Sequence, residues 1–269
     1  MFKVLKGMRG ERAFNGATIS ALALLVIFFV GIVVALFSYT DWNTFISVLL
    51  SHEILFAIKL SVATASVATI VSILIAVPVA YAISQTEFPG KDIVDSMLDL
   101  PIVISPIALG ACLLVFFNTP VGAGIDDNIM KFVFAVPGII LAQIIVICAL
   151  AIRLLKSTFD SIDPRYEQVG RTLGCSKPEA FFKITVPLAR DGLIAASILT
   201  WARAVGEFGA TVTLAGATAM KTETLPIAIF LSLASADVDK AIAVIFVLVI
   251  IAIAALLIIR RIIGRRYVI

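Results

Sequence analysis

Long uninterrupted apolar runs recur along this chain, and they constrain its fold more than any other feature. Ala17 to Tyr39, Ile54 to Ser84 and Ala241 to Ile259 approach or exceed the roughly 20 residues that a helix needs to cross a bilayer. A spanning helix satisfies its own backbone N–H and C=O groups where no water can reach them. Only 14% of the 269 residues are charged, and 61% are hydrophobic. A soluble domain carries about 25% charged residues. The expectation is an all-α, polytopic integral membrane protein, one transmembrane domain over residues 1–269 with about six spans.

Three further spans complete the set. Leu100 to Phe117 begins at Pro101 and contains Pro106, so it is expected to be bent or partly unwound. Pro137-Gly138 opens a fourth span reaching Leu155, and a fifth runs from Pro187 through Trp201 to Leu214. Asp41–Glu53 and Asn118–Lys131 read as loops. Leu225 to Ala236 is too short to cross and reads as a re-entrant or surface-packed helix. Pro78 would kink the second span near its far end. The N-terminal run is longer than a signal-peptide core and reads as an uncleaved span.

Lysine and arginine set the orientation. With both termini in the cytoplasm, sixteen of the 21 basic residues fall inside, among them Lys3, Lys6, Arg9, Arg12, Arg260, Arg261, Arg265 and Arg266. Lys59, Lys131, Lys221 and Lys240 fall outside, and Arg203 is left within a span. The three cysteines, Cys112, Cys148 and Cys175, show no paired spacing and read as packing residues. A single histidine, His52, argues against a histidine-based metal or acid–base site.

The long polar interruption of the C-terminal half is Asp163 to Pro187, DPRYEQVGRTLGCSKPEAFFKITVP. Asp163 can cap a first helix, with Pro164 at its first position. Gly174 fits just past its end, where a left-handed residue is wanted. Ser176 and Glu179 form a capping box for a second helix. Ala180, Phe181 and Ile184 give that helix an apolar side, which would be exposed and meet a cytoplasmic protein.

This pattern resembles the cytoplasmic Glu-Ala-Ala loop of permease subunits of ABC-type importers. Gly174, Ile184 and Pro187 keep the family spacing, and Val186 replaces its leucine. The Glu-Ala-Ala positions carry Gln168, Val169 and Gly170, with Glu167 one residue upstream. The fifth span resembles the sulfate/molybdate/tungstate branch, through Trp-Ala-Arg-Ala-x-Gly-Glu-Phe-Gly-Ala over Trp201 to Ala210.

The resemblance implies the type I importer permease fold and import of a tetrahedral oxyanion. It implies a second copy of the chain, two cytoplasmic ATPase subunits and an extracytoplasmic oxyanion-binding protein as partners, and no nucleic acid. It also implies coupling through Glu167, Gln168, Gly170, Gly174, Ser176, Lys177, Glu179, Ala180, Phe181 and Phe182. The chain lacks a Gly-x4-Gly-Lys-Ser/Thr phosphate loop, so ATP and magnesium are expected on the ATPase and no cofactor on this chain, which is not an enzyme.

Within the fifth span, Arg203 and Glu207 stand four apart, on one face of an expected helix. Charges at membrane depth face a bundle interior or a wet cavity. Two readings stay open: Trp201, Arg203, Glu207, Phe208 and Gly209 line a translocation path, or the pair locks helix register. Gly206, Gly209, Ala210 and Gly216 would admit a neighbouring helix closely. Thr200, Thr211, Thr213 and Ser197 offer hydroxyls to a path, or bond their own helix carbonyls. An ion-coupled secondary transporter that uses the Arg203/Glu207 pair is the competing function, and a membrane enzyme lacks a catalytic constellation.

Overall fold

The computed structural model describes the backbone of residues 2–38 and 42–264, and the side chains of residues 14–36, 38, 42 and 45–261. The basic residues Lys3, Lys6, Arg9, Arg12, Arg265 and Arg266 lie outside the described side chains. All regular structure among the described residues is helical.

The chain forms two compact units, Met1–Ser47 and Val48–Ile269. The first holds α1 (Phe2–Ser38), whose apolar stretch Phe14–Leu36 has no buried residue. It also holds most of α2 (Trp42–Leu49), a helix where a loop was expected. The second holds α3 (His52–Gln85), α4 (Lys91–Val103), α5 (Pro106–Phe117), α6 (Pro120–Asn128) and α7 (Val136–Asp160). It continues with α8 (Arg165–Thr172), α9 (Lys177–Ala180), a π turn (Phe181–Thr185) and α10 (Val186–Val205). It ends with α11 (Gly209–Ala215), α12 (Leu225–Ala234) and α13 (Val238–Gly264).

Among the described residues, four helices are long and apolar enough to cross a bilayer: the stretch in α1, α3, α7 and Val238–Arg261 of α13. A fifth span appears if α4 and α5 count as one, bent by 106° between them. The bend sits where Pro106 follows Ser105, whose Oγ accepts from the Ala108 N–H at 3.3 Å. Pro106 cannot extend α4, and Ser105 restarts the chain as an N-cap. The span expected over Pro187–Leu214 is instead two helices, α10 and α11, separated at Gly206–Phe208. The loop expected over Asn118–Lys131 contains α6, capped by Thr119, whose Oγ1 accepts from the Gly122 N–H at 3.2 Å.

The second unit is built around α3 packed on α7, with α10 laid against both. Ala76 and Ala80 of α3 meet Ala151, Ile152 and Leu155 of α7 and Ala189 of α10 in one buried cluster. Small residues let helix backbones approach where lipid gives no hydrophobic drive for association. Outside that cluster, Arg153 of α7 pins α4. Its Nη1 lies 2.7 Å from Asp95 Oδ1, its Nη2 donates to the Asp95 carbonyl, and its Nε donates to Asp99. Asp95 and Asp99 thus tie α4 to α7. Cys148 and Cys175 are half-buried, whereas Cys112 is exposed on α5 rather than packed.

Candidate functional site

The polar hairpin has the form its residues predict. The Asp163 carboxylate accepts from the Arg165 N–H at 2.9 Å and starts α8. Gly174 follows α8 at φ +98°, in the left-handed region where a side chain is strained. Ser176 N–H donates to Glu179 Oε2 at 2.9 Å, and Glu179 N–H donates to Ser176 Oγ at 3.4 Å, closing the capping box. These bonds from Ser176, with Lys183 3.1 Å away, hold the Glu179 carboxyl down to about 2. Gly170 is buried, and a Cβ there would stand 2.1 Å from Ile184 Cδ1. The third triplet position therefore lets α8 close onto the second helix.

Two expectations for the hairpin are corrected. First, the apolar side formed by Ala180, Phe181 and Ile184 is turned inward. Ala180 is fully buried, Phe181 packs on Tyr81 with ring centroids 4.6 Å apart, and Ile184 covers Gly170. Three exposed apolar residues lie on α8 and just beyond it: Tyr166, Val169 and Leu173, the last 81% exposed. Their spacing of three and four places them on one helix face. Gln168 and Lys177 are also exposed, as is Phe182 of the π turn.

Second, Pro187 does not start a new helix. From Lys177 to Val205 the chain is one continuous helical rod, α9, π turn and α10. The Val186 N–H reaches back to the Phe181 carbonyl, one residue further than in an α-helix. Pro187 lacks an N–H and its ring would strike the carbonyl four residues back. The single π turn absorbs that misfit. At about 1.5 Å per residue the rod is about 40 Å long.

Glu167 anchors the hairpin to the spans. Both its carboxylate oxygens accept from the Tyr81 hydroxyl of α3 at 2.8 Å, and Oε2 accepts from Thr185 Oγ1 at 3.2 Å. Tyr81 and Thr185 were not singled out in the sequence. A tyrosine in the last turns of an apolar span was the available signal.

At its far end the rod stops in the break. Arg203 lies in the last turn of α10, and Glu207 lies beyond the helix end, not on its face as expected. The pair still meets: Arg203 Nη1 is 2.7 Å from Glu207 Oε2. Glu207 is buried, whereas the Arg203 side chain is 40% exposed. Glu207 Oε1 also accepts from the Ala210 N–H at 3.1 Å, so one carboxylate closes α10 and opens α11. Gln143 of α7 donates to the Ala204 carbonyl at 3.1 Å.

Close approach holds for Gly209, where a Cβ would stand 2.9 Å from the Ile107 nitrogen, and for Gly216, at 2.9 Å from Phe134 Cδ1. Gly206 is exposed with no such neighbour and only ends α10. The reciprocal glycine is Gly110 of α5, where a Cβ would stand 2.8 Å from the Ala210 Cα, and the sequence reading does not single it out. Trp201 donates its Nε1–H to Ser66 Oγ at 3.1 Å, and Phe208 rests on Phe230 with centroids 5.4 Å apart. The hydroxyls divide. Ser197 and Thr213 bond carbonyls of their own helices, while Thr200 Oγ1 and Thr211 Oγ1 are buried without a hydrogen-bond partner.

Several apolar spans, a pair of helices joined at a buried carboxylate and a capped polar hairpin define a multi-pass helical membrane protein. Residues 68–268 match the family described as binding-protein-dependent transport system inner membrane component, and the chain belongs to that family. It is 34% identical to the molybdenum transport system permease protein ModB of Escherichia coli (strain K12), over 65% of this chain and 77% of that one. It is 32% identical to the sulfate transport system permease protein CysW of the same strain, over 66% of this chain and 62% of that one. It is 31% identical to the probable transport system permease protein NifC of Clostridium pasteurianum, over 78% and 75%.

Among solved structures, the fold matches a chain of a bacterial alginate ABC transporter in complex with an alginate pentasaccharide-bound periplasmic protein. The TM-score is 0.73, with 17% identity over 96% of this chain and 94% of that one. The fold is the type I ABC importer permease fold, as the resemblance implied.

Proposed function

We propose that this chain is the membrane subunit of an ATP-driven importer that carries a tetrahedral oxyanion, molybdate, tungstate or sulfate, across the cell membrane into the cytoplasm. It works as a pair of copies with two cytoplasmic ATPase subunits and an extracytoplasmic binding protein. ATP and magnesium sit on the ATPase, and this chain performs no chemistry. Relatives named as molybdenum and sulfate permeases support the substrate class. Membership of this family, and a hairpin that an ion-coupled secondary transporter would leave without a task, count against that competing reading.

One observation carries the coupling: the face of Tyr166, Val169 and Leu173 is exposed on a hairpin whose other apolar side is already buried. An ATPase groove would cover that face. Glu167 and the unbroken rod would then pass its movement to the span. At the far end of the rod, Arg203 and the Thr200 and Thr211 hydroxyls, unpartnered among the described residues, would line the path for the anion. Glu207 keeps Arg203 neutralised, so the anion is met without being held tightly.

Reconstitution of the chain in vesicles with its ATPase and binding protein tests this. Molybdate, tungstate or sulfate should stimulate ATP hydrolysis and enter the vesicles. Uptake that follows an ion gradient without ATP would refute it.

A further inference from the structure

Beside the hairpin lies a groove that the transport reading leaves unused. It is a cavity of about 570 Å³ between α3 and the start of the rod. Ile73, Leu74, Val77 and Pro78 form one wall, and Phe181 and Phe182 form the other. Leu74 and Phe182 are exposed, 69% and 67%, so the apolar floor is open along its length. The groove continues into a polar cleft through the two residues they share, Tyr81 and Lys177. Arg171 lines that cleft and a third cavity, of about 440 Å³, in which Lys177 also takes part.

The charge at this polar end is net positive, with Arg171 and Lys177 set against the one carboxylate of Glu167. Neither Arg171 nor Lys177 has a carboxylate within ion-pair distance among the described residues. Lys183 is paired with Glu179. Glu167, the acid in the cleft, is engaged by Tyr81 and Thr185. Moving along α3 from Ile73 to Gln85, the lining changes from purely apolar to cationic. An occupant must carry a hydrocarbon chain at one end and an anion at the other.

We infer that this groove binds a phospholipid with an anionic headgroup: one acyl chain lies against α3 and Phe181–Phe182, and the phosphate sits between Arg171 and Lys177. Cationic side chains at the edge of an apolar span favour anionic headgroups. The bound lipid would brace the root of the hairpin against α3, next to the face reserved for the ATPase. The inference rests on the membrane location and the groove, not on the transport reading, and its test measures neither ATP hydrolysis nor uptake.

The test is native mass spectrometry of the whole chain released from nanodiscs of equal phosphatidylglycerol and phosphatidylcholine. Phosphatidylglycerol should be retained preferentially. Arg171→Gln and Lys177→Gln should each lower that preference about fivefold, and the double variant roughly twenty-fivefold. Leu74→Trp, which obstructs the groove but keeps both cations, should weaken retention of both lipids, and an unchanged melting temperature would show that it folds. Equal retention of the two lipids, or a preference that survives the double variant, would overturn the inference. So would displacement by millimolar inorganic phosphate, which would make it a simple anion site. Loss of the lipid when the ATPase subunit is added would mean that the groove belongs to the protein partner, and would overturn it too.

Discussion

The hairpin and the break between α10 and α11 sit at opposite ends of one rod, and they are held in different ways. The hairpin is closed by short-range bonds: Asp163 to Arg165, Ser176 to Glu179, and a left-handed Gly174 between them. The break at Gly206–Phe208 is closed by a buried carboxylate and by contacts from distant segments: Gln143 on Ala204, and Ile107 on Gly209. One end can keep its shape while it meets different partners. The other keeps its shape only while its neighbours stay in place. That difference suits a device in which a stiff handle moves a segment able to change.

Substitutions should separate the two ends. Gly209→Val places its side chain against the Ile107 backbone and Pro106, and overpacking of this kind costs about 2–3 kcal/mol. Denaturant or thermal unfolding in detergent should register it, and a neutral result would mean that α5 and α11 are not closely packed. Glu207→Ala leaves Arg203 without its counter-ion and the Ala210 N–H unpaired. The expected loss is about 2 kcal/mol, below the range for a fully buried pair because Arg203 is 40% exposed. Removing Arg203 together with Glu207 should cost less than removing Glu207 alone, and strict additivity in the cycle would defeat the pair.

At the hairpin the effects on stability are smaller. Gly174→Val forces a branched side chain into the left-handed region at about 1–2 kcal/mol. It should reduce coupled ATP hydrolysis while the protein stays folded in the membrane. The smallest effect is that of pH on the capping box. The Glu179 carboxyl is held at about 2 in the folded hairpin, against an ordinary 4.5. Its contribution is therefore complete above about pH 4.5 and is lost as pH falls toward 2. Amide protection factors across residues 176–185, taken against the intrinsic rate at each pH, should hold from pH 7 to 5 and fall below about pH 4. A fall already near pH 6 would contradict the assignment.

What the sequence made readable follows the same division. Caps, a turn glycine and apolar length act over a few residues, so the hairpin, the bend at Pro106 and most spans could be anticipated. The break could not, because Glu207 leaves the helix through contacts with α5 and α7 that lie far away in the chain. The outward face of the hairpin was assigned to the wrong stripe for a related reason. Ala180, Phe181 and Ile184 are as apolar as Tyr166, Val169 and Leu173, and only packing on Tyr81 and Gly170 decides which set is buried. The loops read between spans hid α2 and α6, since helices of eight and nine residues are too short to show a clear period.

The central claim is that the exposed face of α8 is where a separate motor takes hold of this chain. A photo-crosslinking residue in place of Leu173, in cells that make the whole transporter, tests it most directly. The account predicts a crosslink to the ATPase subunit, weakened when Val169 is replaced by Asp. A crosslink only to lipid or to an extracytoplasmic protein, with the ATPase untouched, would contradict it.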